Sequence, residues 1–100
     1  SKDYGAQTFY PTGKEDSEAL AKMVQIELKQ TVDDTNNREI KPRDDLYLIK
    51  DNKMPSILIE CGFLSNEKEA KLLTEEEYQD KIAWAIYVGI QKYFNECGEI

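Results

Sequence analysis

The chain contains no histidine among its 100 residues. Histidine is the usual general base near neutral pH and the commonest nitrogen ligand of zinc. A Ser-His-Asp or Cys-His catalytic triad is therefore excluded, and a zinc site would have to be built from carboxylates and cysteines. Cysteine is scarce too: Cys61 and Cys97 lie far apart, without CxxC spacing. We interpret both as free thiols.

Basic charge is in deficit, with 13 Lys and Arg against 20 Asp and Glu, a net charge of -7. Because the basic residues are scattered among acids, the sequence argues against nucleic acid as a partner. No apolar run approaches the roughly 20 residues that cross a bilayer. No basic segment followed by an apolar one stands at the start, so we expect no membrane span and no secretory signal in this chain.

Three segments predict β-strands. Residues 4–10 alternate loosely and are rich in Tyr, Thr and Phe. Residues 46–49 and 57–59 are short, fully apolar runs, a pattern typical of strands buried on both faces beneath helices. Between the first two strands, residues 33–45 are polar and lack periodicity, which indicates a long loop.

Three segments predict helices. The first spans about 14–31, opened by a capping box at Thr12 and Glu15 or by a cap at Asp16 or Ser17. Its apolar spacing is interrupted by Glu27. Its other face is polar. The second spans about 66–72, and the third runs from a capping box at 74–77 to about 94. The polar face of the first helix comprises Glu18, Lys22, Gln25 and Lys29, and Ser65 or Asn66 would cap the second helix. The third helix has further apolar side chains outside its main apolar face, namely Trp84, Tyr87 and Val88. We therefore expect the third helix to be buried on more than one side.

Strands and helices in this order predict an α/β fold, in which helices cover both faces of a mixed sheet. About three strands and three helices of this fold are present. A sheet of this type normally has more strands, so we expect the chain to be part of a larger domain. A small complete α+β domain is the alternative.

Glu60 is the first candidate for chemistry, because it follows three aliphatic residues at the carboxyl end of a predicted strand. Active sites of helix-covered sheets gather at such ends, and a carboxylate partly removed from water there suits a general base. The alternative is a structural glutamate that pairs with one of the basic residues of the loop, namely Arg38, Lys41 and Arg43. That cluster either holds an anionic group or balances Asp33, Asp34, Asp44 and Asp45. Cys61 faces the other side of the strand by alternation and should be a small core residue.

Residues 55–66, Pro-Ser-Ile-Leu-Ile-Glu-Cys-Gly-Phe-Leu-Ser-Asn, resemble the strand motif of the zinc-dependent N-acetylmuramoyl-L-alanine amidases. Segments on either side agree with the family in order, so the resemblance covers about 95 of the 100 residues. It is closest to the spore-cortex branch, the CwlD-like amidases of spore-forming bacteria. Within the family pattern, Glu60 matches the general base. The residues that bind substrate stay open, with Arg38 and Phe63 as candidates.

The resemblance implies hydrolysis of the amide bond between N-acetylmuramic acid and the L-alanine of the peptidoglycan stem peptide. It implies one zinc ion, held by two histidines and a glutamate that lie upstream of the first strand seen here. Residues 1–100 would then be the C-terminal portion of the catalytic domain, without metal ligands and inactive alone. An extracytoplasmic location, in the cell wall or spore envelope, is also implied. The expected partners are the peptidoglycan stem peptide and glycan, and the missing N-terminal half or another copy of the chain.

A second function of another class remains open. An amidase-like half-domain without its metal ligands could be a non-catalytic module that binds a partner protein or self-associates. The loop at 33–45 and the exposed edge of the sheet would then be its contact surfaces.

Overall fold

A mixed three-stranded sheet forms the centre of the protein, as the sequence predicts. The computed structural model describes residues 4–62 and 66–96. Strand β1 spans Gln7–Pro11, β2 spans Lys41–Arg43 and β3 spans Leu58–Glu60, in the order β2-β1-β3. The central strand β1 runs parallel to β2 and antiparallel to β3.

The three predicted helices are present, with ends shifted by a few residues. Helix α1 spans Glu15–Glu27 and continues into a π-helical turn at Leu28–Val32. Helix α2 is a short segment at Tyr47–Lys50, α3 spans Glu67–Leu72 and α4 spans Glu76–Glu96.

The helix caps agree with the sequence only in part. The Asn66 side chain caps α3 by accepting a hydrogen bond from the Glu69 N–H. Asn66 is one of the two residues that the sequence offers as the cap of this helix. The predicted capping box at Thr12 is wrong, because α1 begins after Lys14 without a side-chain cap. The Thr74 hydroxyl donates to the Lys71 carbonyl, and α4 begins two residues later, at Glu76.

The strand predicted at 46–49 is wrong, because these residues lead into helix α2 and their side chains are not buried. Tyr47 is 75% exposed and Leu48 99% exposed. The second strand is instead Lys41–Arg43, inside the predicted loop. A short apolar run does not distinguish strand from helix, since it has no period. The residues of β2 pair at the edge of the described sheet, where a proline is tolerated.

The hydrophobic core lies between β1, α1 and α4. Its buried members are Ala6, Leu20, Val24, Leu28, Ile82, Ala85 and Tyr93. The two long helices approach closely at Gly89, where a Cβ atom would lie 2.7 Å from the Cα of Val24. Glycine at this position therefore permits the helix contact on which the core depends.

Two polar residues of α1 that break its pattern are buried rather than exposed. Gln25, assigned to the polar face by the sequence, is 3% exposed. Glu27 is also buried and forms an ion pair with Lys92 of α4 at 2.6 Å. Both are tolerated in the interior because each has polar partners there.

The prediction that α4 is buried on more than one side is also wrong for two of its aromatic residues. Trp84 is 59% exposed and Tyr87 50% exposed, with their ring centroids 5.5 Å apart. The helix packs along α1 and the π-helical turn through its other face. Among residues 4–62 and 66–96, no helix is long and apolar enough to cross a membrane.

Replacement of Gly89 by alanine tests the close helix contact. Because the new methyl group would meet backbone atoms of Val24, the helices must separate, at a cost of about 1–3 kcal/mol. The better helix propensity of alanine returns about 1 kcal/mol. We expect Gly89→Ala to lower the free energy of unfolding by up to about 2 kcal/mol in urea titrations. Ala83→Gly, on the exposed face of α4, measures the propensity difference alone. A stabilised Gly89→Ala protein would contradict the proposed contact.

Candidate functional site

The two faces of the sheet have different surroundings. Ile57, Ile59 and Cys61 pack against the core shared with α1 and α4. Because side chains alternate along a strand, Leu58 and Glu60 point to the opposite face. Cys61 is a half-buried free thiol that packs against the core, and burial raises its pKa. Cys97 lies outside the described residues.

Glu60 is the last residue of β3 and lies opposite Gln7 in the antiparallel register. This places the carboxylate at the carboxyl end of a strand, on the face turned away from the core. Its side chain is 42% exposed, so in this chain it is only partly removed from water. The carboxylate is both held by the sheet and reachable from solvent, as a general base must be.

Arg43 is the charged neighbour of Glu60 among residues 4–62 and 66–96. Its Nη1 lies 3.8 Å from the Glu60 Oε2, beyond hydrogen-bond distance. Its directed hydrogen bonds go to both carboxylate oxygens of Asp45, at 2.6 and 2.9 Å. These bonds raise the pKa of Arg43 and lower the pKa of Asp45. The guanidinium also lies 5.2 Å from the ring centroid of Phe9. The structure therefore favours charge balance for Arg43, with a weak Coulombic contact to Glu60.

The remaining candidates of the basic loop are placed differently. Arg38 is half-buried, its N–H donates to the Asn36 Oδ1 at 2.8 Å, and its carbonyl accepts from the Gln25 amide at 3.2 Å. Its backbone thus fixes the loop, and substrate binding by its side chain stays a prediction. Lys41 is exposed on β2. Phe63 lies outside the described residues.

A buried polar cluster, which the sequence analysis missed, ties the loop and α1 to β1. The Gln25 Oε1 accepts the Thr8 N–H at 2.8 Å, and its Nε2 donates to the Ala6 carbonyl at 3.0 Å. Asn36 donates to the same carbonyl at 2.9 Å. These side chains form hydrogen bonds with the backbone of Ala6 and Thr8, which precede Phe9, the first residue of β1 that pairs with β2. The only sequence signal was the position of Gln25, four residues after Ala21 and three before Leu28, on the core face.

Two cavities open near the ends of the sheet. An apolar one of about 410 Å³ lies beside Leu58 and is lined by Asp45, Leu46, Tyr47, Leu48, Ile49, Ile57 and Leu58. A more polar one of about 380 Å³ is lined by Tyr4, Asp33, Thr35, Asn66, Lys68, Glu69, Leu72 and Tyr78. Burial, and then the charges of Glu69 and Asp33, raise the pKa of Tyr78, so its phenol stays neutral near pH 7.

Within residues 4–62 and 66–96, no three His, Cys, Asp or Glu side chains come together in a group that could hold a metal ion. Glu60 has Arg43 as its charged neighbour rather than a second acid. These residues therefore do not fit a complete zinc site. The expectation that this chain holds no metal ligands stays a prediction.

Comparison with known proteins identifies relatives along nearly the whole chain. A sequence profile of the N-acetylmuramoyl-L-alanine amidase family matches residues 1–92. The germination-specific N-acetylmuramoyl-L-alanine amidase of Bacillus subtilis (strain 168) is 44% identical over 95 residues, which are 95% of this chain and 40% of that protein. The amidase LytC of the same organism is 35% identical over 96 residues, covering 94% of this chain and 19% of LytC.

Solved structures agree with these matches. The CwlD amidase from Clostridioides difficile, solved in complex with the GerS lipoprotein, is 73% identical with a TM-score of 0.93, over 95% of this chain and 48% of that one. An N-acetylmuramoyl-L-alanine amidase from Clostridium difficile 630 is 32% identical with a TM-score of 0.88, over 98% and 52%. The predicted family and its CwlD-like branch are confirmed. The chain spans about half the length of these structures, and less of the curated relatives.

The buried cluster around Gln25 gives a testable prediction. In Gln25→Ala the Ala6 carbonyl keeps its bond from Asn36, but the buried Thr8 N–H loses its acceptor. An orphaned buried amide costs about 1–3 kcal/mol, so we expect the free energy of unfolding to fall by that amount. Urea titration followed by circular dichroism measures it. Gln30→Ala, at an exposed position of the π-helical turn, is the matched control. Equal effects of the two substitutions would argue against the cluster.

Proposed function

The chain belongs to the N-acetylmuramoyl-L-alanine amidase family, and we propose that it is the C-terminal portion of a catalytic domain that hydrolyses peptidoglycan. The bond cleaved is the amide between N-acetylmuramic acid and the L-alanine of the stem peptide. The observation that carries the proposal is the family match across residues 1–92, which includes a reachable carboxylate, Glu60, at the end of β3.

In this proposal Glu60 is the general base. Its carboxylate accepts a proton from the water whose oxygen bonds to the amide carbonyl carbon. The carbon–nitrogen bond then breaks, and Glu60 returns the proton to the nitrogen of the leaving L-alanine. The position of Glu60 supports this role, since β3 holds its backbone while its side chain remains open to solvent.

Zinc dependence belongs to the proposed function of the whole domain. Because the residues described in this chain do not fit a zinc site, no step is assigned to a metal on it. The zinc ligands would lie outside these 100 residues, and the chain alone would be inactive. The names of the relatives support a role in the cell wall or spore cortex, and hence an extracytoplasmic location.

The role of Glu60 is tested in the complete catalytic domain by Glu60→Gln. Loss of the base should lower kcat by about 10²- to 10⁴-fold on peptidoglycan fragments. Zinc per molecule, measured by elemental mass spectrometry, should not change, because Glu60 acts as a base and not as a ligand. The control is Glu77→Gln, at an exposed position of α4.

Two results would count against this role. A Glu60→Gln domain with kcat close to that of the wild type would remove Glu60 from the reaction. A domain that loses zinc together with activity would make Glu60 a ligand instead. The 100-residue chain, assayed beside the complete domain, should show neither bound zinc nor activity.

We also propose that the protein binds a lipoprotein partner. The support is the C. difficile CwlD structure, solved in complex with a lipoprotein, and the exposed pair Trp84 and Tyr87 on α4. Exposed aromatics are enriched at protein interfaces and often dominate their energetics. This second function is compatible with the first, since Glu60 and the aromatic pair lie on different elements. Contact with the N-terminal half of the domain or with another copy of the chain remains part of the proposal.

Binding of the lipoprotein encoded in the same genome, measured by calorimetry, tests this surface. We expect Trp84→Ala to weaken the affinity by about 10- to 30-fold, the effect of a central aromatic in an interface. Gln91→Ala, exposed on the same helix, should change it little, and Glu60→Gln should leave it intact. Unchanged binding by Trp84→Ala would place the interface elsewhere, and no binding by the wild type would contradict the partner.

A further inference from the structure

The ends of β1 and β3 next to Glu60 are joined by a side chain from α3. Gln7 and Glu60 form the last pair of the antiparallel register; Gly5 lies two residues before Gln7, and Gly62 lies two residues after Glu60. The Glu69 Oε2 accepts a hydrogen bond from the Gly5 N–H at 2.7 Å. The same oxygen would lie 3.1 Å from a Cβ atom at Gly62. One carboxylate oxygen therefore contacts both strands just beyond the pair that contains Glu60.

Glu69 is itself held firmly in place. It lies in the first turns of α3, where its N–H donates to the Asn66 cap at 3.2 Å, and it is 5% exposed. Carboxylates are seldom buried to this degree unless they are paired or hydrogen-bonded. The interaction with Gly5 is thus a short, desolvated hydrogen bond rather than a surface contact.

Within the part of the chain that the structure describes, the strand pairing that holds Glu60 is short. Strand β3 has three residues and three register pairs with β1, of which Gln7 with Glu60 is the last. The ends of so short a strand fray unless they are tied to neighbouring structure. Gly62 leaves room for the Glu69 carboxylate because it has no side chain. A Cβ atom at Gly5 would instead lie 2.6 Å from the Asn36 side chain, and Gly5 has φ +95°, a conformation suited to glycine.

We propose that Glu69 is a positioning residue for Glu60: by binding the Gly5 N–H and packing against Gly62, it fixes the end of β3 and so the direction of the Glu60 carboxylate. This inference rests on the proposed function of Glu60. Glu69 makes no contact with substrate in this scheme, and its effect passes through the two strand ends.

The test uses the complete catalytic domain and compares Glu69→Ala with Glu69→Gln. A displaced base lowers kcat by about 10- to 100-fold, as misplacement by about 1 Å does elsewhere. We expect this loss for Glu69→Ala, with KM changed less than about twofold because the substrate site is intact. Glu69→Gln keeps an oxygen acceptor for the Gly5 N–H and should restore most of kcat. The control Glu67→Ala removes an exposed acid from the same turn of α3 and should leave kcat unchanged.

A second variant and a second readout cover the case in which Glu69→Ala does not fold. Gly62→Ala places a methyl group against the Glu69 carboxylate, so it should also lower kcat. If the two positions are coupled, Gly62→Ala should lower kcat less in the Glu69→Gln protein than in the wild type. Hydrogen exchange should be faster at the Glu60 amide in Glu69→Ala than in Glu67→Ala. That measurement does not depend on catalysis.

The outcomes separate the two proposals. If Glu60→Gln is inactive but Glu69→Ala keeps kcat and the slow exchange at Glu60, the positioning role is wrong while the general base stands. If Glu69→Ala lowers stability alone, with kcat per folded molecule unchanged, Glu69 is only structural and the inference is overturned. If Glu60→Gln keeps its activity, the proposed function has failed, whatever Glu69 does.

Discussion

The central strand β1 depends on side chains to complete the hydrogen bonds of its backbone. The side-chain amide of Gln25 provides two of these hydrogen bonds. Strand β2 begins opposite Phe9, so the backbone of Ala6 and Thr8 has no strand neighbour on that side. Gln25 reaches from α1 and satisfies both, accepting from one residue and donating to the other. Because an unpaired buried backbone group is costly, the position of α1 over the sheet is tied to this one amide.

That attachment determines which face of the sheet is closed and which is open. With α1 held over β1, α4 packs behind it through the close contact of Gly89 with Val24, and this side becomes the core. Alternation along β3 then leaves Leu58 and Glu60 on the other face, where Leu58 lines the apolar cavity that α2 borders. The exposure of the candidate base is thus a consequence of how the core is built.

The sequence predicts those parts of the structure that a periodic pattern or a local signal encodes. Helices α1, α3 and α4 follow from apolar spacing, and Glu60 was identified because it ends an apolar run. Strand β2 could not be predicted, since Lys41, Pro42 and Arg43 include no β-branched or aromatic residue, and only their pairing with β1 makes them a strand. The helix at Tyr47–Lys50 was mistaken for a strand because four apolar residues have no distinguishing period.

The same limit explains why the polar residues around the site were missed. The contacts of these residues join parts of the chain that are far apart in sequence or belong to different elements, as for Gln25, Asn36 and Glu69. Composition and residue spacing carry no signal of such contacts. Their chemistry is nevertheless consistent: each one binds a backbone group of residues 5–8, the stretch that leads into the partner of Glu60. A strand of three residues such as β3 needs such restraints, because its register pairs hold Glu60 by one short segment. Of the polar residues buried in the described part of the chain, Ser17 and Glu27 bind elsewhere, whereas Gln25, Asn36 and Glu69 all act on the backbone that leads to the pair containing Glu60, the residue proposed as general base.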